Sequence, residues 1–197
     1  MNAHPWWSSQ TFWKKTAIWV TGTSAIALIL LTVDTLPKIS AGSTRVPPYS
    51  VINHRIEYRF DDSRKFQVPV IGEKEPLFGK ELTEAEAAAL VSHGKMTVQA
   101  KNCMNCHTLL GNGAYYAPDL TKAWLDPYWG SKGVREQLMV AFIQDPSDKL
   151  HNGLGRRMPK LGVTTEEAQA VVAFLKWMSA IDTNGFPYNF KPIQQEN

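Results

Sequence analysis

Five consecutive residues, Cys103-Met104-Asn105-Cys106-His107, constrain the fold of this chain more than any other feature. Two thiols about one turn apart, followed at once by an imidazole, are the attachment sequence for a c-type haem. The thiols add to the two vinyl groups as thioethers, and the histidine reaches the iron from one face. A thioredoxin-like redox pair is the rival for Cys-x-x-Cys, but that motif belongs to a βαβ unit, which the surrounding pattern lacks, and it leaves the histidine without a task. The chain has 197 residues and only 2 cysteines, too few to staple a disulfide scaffold.

An iron with one histidine needs a partner on its far face, or is left open to small ligands, and Met/His ligation raises the reduction potential. Of the 6 methionines, Met1 and Met104 are excluded by position or geometry. Met96 and Met178 fall on predicted helices, and Met139 lies in the amphipathic run VREQLMVAF. Met158 differs because it sits in HNGLGRRMPKLG, where Pro159 disfavours helical geometry at Met158 and the loop can present its side chain from irregular backbone. Met158 is the candidate axial ligand, with His151 of the same loop as the bis-histidine alternative.

The flanks read as helices. Thr83 to Ala100 is Ala-rich with acidic residues early, and Gly94 would admit another helix at close range. After the methionine loop, Thr164 and Glu167 form a capping box, and Ala168, Val171, Leu175 and Met178 make one apolar stripe, with Phe174 and Trp177 beside it to close over Gly94. Helix, haem motif, methionine loop and helix, in that order, resemble the cytochrome c fold. The macrocycle would complete an otherwise modest core.

The N-terminal part has another solvent. From Thr16 to Val33 the chain is uncharged, bounded by Lys14 and Lys15 before and by Asp34, Pro37 and Lys38 after. At 1.5 Å per residue this covers about 27 Å, and Phe12, Trp13 and Leu36 extend it to the roughly 30 Å of a bilayer core. Trp6, Trp7, Trp13 and Trp19 suit the headgroup level. A cleaved signal peptide has a shorter apolar core, so an uncleaved anchor is expected. The positive-inside rule then puts the N-terminus in the cytoplasm and the remainder across the membrane. Ala17, Thr21 and Ala25, with Gly22 and Ser24 beside them, form a small-residue stripe suited to a neighbouring helix.

Between anchor and haem motif, Ser40 to Tyr49 reads as a linker. Ile56, Tyr58 and Phe60 then alternate with charged residues, and Phe66, Val68 and Val70 resume the alternation after Asp61-Asp62-Ser63, a β-hairpin signal. Pro69 marks an edge, and a lone hairpin is marginal in water, so its apolar face should pack on something. The expected organisation is mainly α: a transmembrane anchor over 1–39, a connector with a hairpin over 40–80, and a mono-haem cytochrome c domain over 81–197. The formal charge is only +3, from 21 Lys+Arg against 18 Asp+Glu, which excludes a basic nucleic-acid arm.

Together these residues resemble one family, the membrane-anchored cytochrome c subunit of bacterial nitric oxide reductase. The likeness runs from about Gly94 to Pro187 and rests on Gly94-Lys95, NCMNCHTLLGNGAYYAPDL, GRRMP and FLKWMSAIDTNGFP. It implies an electron-transfer subunit of the bacterial inner membrane, paired with a large integral-membrane subunit that holds haem b and a haem/non-haem iron pair and reduces NO to N₂O and water in denitrification. Carried over residue by residue, Cys103 and Cys106 hold the haem covalently and His107 and Met158 are its axial ligands. Pro118 offers the carbonyl that accepts the His107 Nδ1 proton. Gly113 through its carbonyl and Tyr115 through its side chain would help hold a calcium ion at the subunit interface. Residues 45–80 exceed the short connector expected in that family.

The function expected is an electron relay with no catalytic pair of its own. A soluble periplasmic donor, a cytochrome c or a cupredoxin, would reduce the haem in the periplasm, with Arg156, Arg157 and Lys160 beside it. The competing readings are a mono-haem subunit of a haem-copper terminal oxidase, a free-standing anchored shuttle and a ligand-binding sensor. The run TLLGNGAYYAPDL weighs against the oxidase.

Overall fold

The computed structural model describes residues 5–130, 132–146 and 157–188. His151 and Arg156 lie outside these. Helix α1 runs over Gln10–Ile39, longer at both ends than the uncharged core. Ser9 caps it by accepting from the Phe12 N–H at 3.4 Å, and Lys38 pairs with Asp34 at 2.6 Å at the far end. It is long and apolar enough to cross a membrane, and none of it is buried inside the protein. The hydroxyls of Thr23 and Thr32 donate to Trp19 O and Leu28 O, each at 2.8 Å, so these polar groups are satisfied within the helix, as a lipid environment requires.

Beyond α1, strands β1 (His54–Asp61) and β2 (Phe66–Lys74) pair antiparallel. Asp61 shapes the turn, its carboxylate accepting from Ser63 N at 2.9 Å and Arg64 N at 3.1 Å. The register sets Tyr58 against Pro69 and Arg59 against Val68, so even-numbered residues face odd-numbered ones. The two apolar rows seen in the sequence therefore lie on opposite faces of the ribbon. Ile56 and Tyr58 face inward: Ile56 is buried, and the Tyr58 hydroxyl donates to Ser179 O at 2.8 Å. On the other face, Phe66 lies under the Arg64 guanidinium, 4.4 Å from its ring centroid.

Among the described residues, three α-helices complete the domain: α2 (Glu84–Ala100), α3 (Lys132–Gln144) and α4 (Thr165–Ser179). Both α2 and α4 begin with a full capping box, Thr83 with Glu86 and Thr164 with Glu167, each such cap contributing about 1 kcal/mol. Their crossing depends on Gly94, where a Cβ would run into Ala170 O and the Phe174 Cβ. Phe174 thus closes over Gly94. Trp177 turns elsewhere, stacking on Tyr49 with centroids 5.1 Å apart and donating to Pro47 O at 3.1 Å.

The expected stripe on α4, Ala168, Val171, Leu175 and Met178, is buried. So are Ala170, Val172, Ala173 and Lys176 on its other faces, because the chain from Pro47 to Leu77 covers what would be the solvent side. Val51, Ile52, Ile56 and Leu77 share one core with Val91, Phe174 and Met178. Polar ties fix this cover. The Glu84 carboxylate takes Tyr49 N and Ser50 N, each at 2.8 Å; the Asn53 side chain exchanges two bonds with the Leu82 backbone at 2.7 and 2.9 Å; and Arg64 grips Asp182 at 2.6 and 3.2 Å. Each buried aliphatic side chain contributes roughly 1.5–3 kcal/mol, so the cover adds substantially to a small core.

Candidate haem attachment site

Helix α2 ends at Ala100 with Lys101 as its C-cap, and the chain breaks sharply at Asn102, which takes left-handed geometry (φ 54°). A single 3-10 turn, Cys103–Asn105, follows. His107 N donates to Cys103 O at 3.0 Å and Cys106 N to the same oxygen at 3.2 Å, so one carbonyl gathers the motif. Both thiols are free and half-buried. Burial pushes the Cys103 thiol above its ordinary pKa.

The backbone after the motif folds back on it. Strands β3 (Thr108–Leu109) and β4 (Asn112–Gly113) form a minimal hairpin whose turn places Leu110 (φ 50°) and Gly111 (φ 81°) in left-handed geometry, as a primed turn demands. Gly113 (φ 113°) lies so close to the motif that a Cβ would strike His107 O and Met104 O. Ala114 N donates to Met104 O at 3.0 Å and Ala117 N to Cys106 O at 2.8 Å.

His107 Nδ1 lies 2.7 Å from Pro118 O. A carbonyl oxygen can only accept, so Nδ1 carries the proton and Nε2 keeps its lone pair free for a metal. The same offset recurs along the strip: Thr108 Oγ1 donates to Asp119 Oδ2 at 2.7 Å and Leu110 N to Thr121 Oγ1 at 2.8 Å. Asp119 also accepts from Thr121 N at 2.7 Å. Asp119 and Thr121 were not singled out from the sequence, although the histidine-to-proline spacing, continued by one and by three residues, points to both.

Lys122 anchors the end of this strip. It is buried, donates to Ile181 O at 2.8 Å and sits 4.8 Å over the Tyr58 ring. Burial lowers its pKa to about 7, against the pull of Asp182 and Asp119. Burial likewise raises the Tyr58 hydroxyl well above its ordinary value.

Met158 is half-buried in irregular backbone between α3 and α4, followed by Pro159. Gly113 and Tyr115 both lie on the exposed side of the loop, with Tyr115 77% exposed. Among the described residues no group of three or more His, Cys, Asp or Glu gathers into a metal centre. The donor set fits a haem c: two unbridged thiols at attachment spacing, an imidazole with a fixed tautomer, and a thioether on a segment free of regular structure. Cys103, Cys106 and His107 would hold it.

A family model described as cytochrome c matches residues 91–179, a span from within α2 to the end of α4. The chain is 32% identical over 115 residues to the C subunit of nitric oxide reductase from Stutzerimonas stutzeri, covering 58% of this chain and 76% of that one. It is 35% identical over 117 residues to the corresponding C subunit from Paracoccus denitrificans, covering 56% and 73%. With the attachment loop, the cytochrome c core and one apolar N-terminal helix in place, the chain belongs to the family of cytochromes c that form the C subunit of nitric oxide reductase.

Proposed function

We propose that this chain accepts electrons from a soluble periplasmic donor, a cytochrome c or a cupredoxin, and passes them to haem b of a large integral-membrane subunit that reduces NO to N₂O. The observation that carries the reading is the hydrogen bond from His107 Nδ1 to Pro118 O at 2.7 Å within a Cys-x-x-Cys-His loop. It prepares Nε2 as an iron ligand, and a haem held through both thiols and that nitrogen would leave none of the three as a free nucleophile or general base, which suits a relay. When bound, the haem supplies the one-electron iron couple. The chain's own residues would attach it through Cys103 and Cys106 and would ligate it through His107 and Met158, with the His107 tautomer held by Pro118 O. The chain is not catalytic by itself. Its connector over 40–80 and haem domain over 81–197 stand on the periplasmic side of a single-pass anchor over 1–39, whose N-terminus is cytoplasmic. Gly113 O and Tyr115 Oη would supply two oxygen ligands to a calcium ion at the interface; a hard cation of that kind takes about 6–8, so the partner would have to complete the set.

The test is NO consumption by the detergent-purified chain with its co-purifying partner, driven anaerobically by a reduced c-type donor. NO loss with N₂O formed and haem b in the spectrum is the expected result. Turnover of O₂ alone would transfer the relay to a terminal oxidase, and a haem c chain isolated without any haem b partner would make it a free shuttle.

A further inference from the structure

Residues 158–163 lead from Met158 to Thr164, the N-cap of α4, and no backbone–backbone hydrogen bond joins them to another described residue. Lys160 reaches Asp145 at 3.4 Å, but both side chains are about two-thirds exposed, and such surface pairs contribute little. Among the described residues, the bond that reaches this backbone from elsewhere in the fold comes from Lys101. Its Nζ donates to Gly162 O at 3.0 Å and pairs with Glu167 Oε2 at 3.2 Å, both side chains about three-quarters buried. Glu167 Oε2 also accepts from Thr164 N at 2.9 Å, so the ammonium grips the carbonyl just before the α4 cap and the carboxylate that makes the cap. At Gly162 the chain turns with φ 62°.

Lys101 is itself firmly placed. Its N–H closes α2 on Thr97 O at 2.9 Å, and it stands two residues before Cys103. One side chain therefore connects the backbone that presents the cysteines to the backbone that presents the methionine.

We propose that Lys101 is a positioning residue for the axial methionine, its ammonium bridging Gly162 O and Glu167 to set the separation between the Met158 segment and the Cys103–His107 loop. This rests on the ligation given under the proposed function. Without the bridge, residues 158–163 sample more conformations and the sulfur leaves the iron more often. An added ligand then binds more tightly in proportion to the open fraction.

The experiment uses the full-length, haem-loaded chain in detergent and reads two signals: the far-red charge-transfer band of methionine-ligated ferric haem, and imidazole affinity. Lys101→Met keeps the aliphatic stem and removes the charge. It is expected to weaken the band and tighten imidazole binding about tenfold, the scale of one lost charge-assisted hydrogen bond. Lys101→Arg should recover most of both signals, since a guanidinium also offers several donors. Met158→Ala is the reference for an open iron. Wild-type signals in Lys101→Met beside an open iron in Met158→Ala would overturn the bridge alone, whereas an unaltered band in Met158→Ala would overturn the methionine ligation and the bridge with it. Should Lys101→Met fail to load haem, Glu167→Gln decides, because Gln preserves the capping box: a roughly threefold tightening supports the bridge, and unchanged affinity overturns it.

Discussion

The strip from His107 to Thr121 and the strip from Met158 to Thr164 face one iron in the proposed ligation, yet they are held by different kinds of bond. The first is bound back on itself by a ladder at constant offset, from His107–Pro118 to Leu110–Thr121, and it ends in a buried lysine. Among the described residues, the second has the α4 cap at Thr164, the Lys101 bridge, one exposed ion pair and the burial of Val163. Main-chain bonds also hold the first strip, from Ala114 N to Met104 O, Ala117 N to Cys106 O and Leu120 N to Thr108 O, and these tolerate side-chain change, whereas a side-chain bridge is lost with one substitution. The histidine side is thus a fixed platform. The methionine side is where sequence can adjust how firmly the sixth ligand is held, and with it the reduction potential.

The largest break in this comparison is Gly113→Ala. It forces a Cβ against His107 O and Met104 O at φ 113°, a cost of roughly 3 kcal/mol or more. Haem content and the thermal midpoint should both collapse, and a variant with wild-type haem loading would show that the platform yields easily.

A pH effect should mark the platform next. Lys122 has a folded pKa of about 7, below its ordinary 10.5, and Lys176, buried against Glu75 O, is lowered to about 8. Between the folded and unfolded values the unfolded chain binds protons that the folded chain does not, so stability rises with pH through that window. Below about 7 the full cost of burying the Lys122 ammonium is present. The gain by pH 10 is up to a few kcal/mol, read as urea midpoints across pH 7 to 10, and Lys122→Met should flatten the lower part of the slope. An unchanged slope in that variant would remove Lys122 as its source.

Met158→Ala acts on the other strip. It should cost about 1–2 kcal/mol, keep the covalent haem, lower the midpoint potential and let the reduced iron bind CO; a spectrum indifferent to CO would reassign the sixth ligand. The smallest effect belongs to Lys160→Ala. Its exposed pair with Asp145 is worth roughly 0–0.5 kcal/mol, and imidazole affinity should not move. A shift as large as that of Lys101→Met would mean that any nearby positive charge, rather than the bridge, holds the segment.

The parts of this fold that were legible in the sequence are those with local signals. The apolar stripe from Ala168 to Met178, the Thr164–Glu167 cap, Gly94 at the helix crossing and the hairpin turn after Asp61 each depend on neighbours within one element or on a single residue's shape. The parts that were not legible depend on register and on distant pairing. Alternation marks a strand but not which residues oppose each other, so nothing local showed that Tyr58 and Val68 face opposite ways. Nothing near Tyr49, Asn53 or Arg64 announces Trp177, Leu82 or Asp182 as partners. At the haem loop the motif identified its own atoms, Asp119 and Thr121 follow only when the His107–Pro118 spacing is carried further along the chain, and Lys101 acts through a distant contact that a linear reading does not weigh.

Rapid mixing of NO with the fully reduced, anaerobic complex of this chain and its partner tests the relay most directly, compared with a complex in which Cys103→Ser and Cys106→Ser remove the covalent haem. A relay through His107 and Met158 predicts that the haem c of the native complex is oxidised as NO is consumed. The variant should still oxidise its haem b with NO but lose sustained NO reduction from the soluble donor. Donor-driven NO reduction at the native rate in the variant would contradict the relay, because electrons would then reach the partner without this chain's haem.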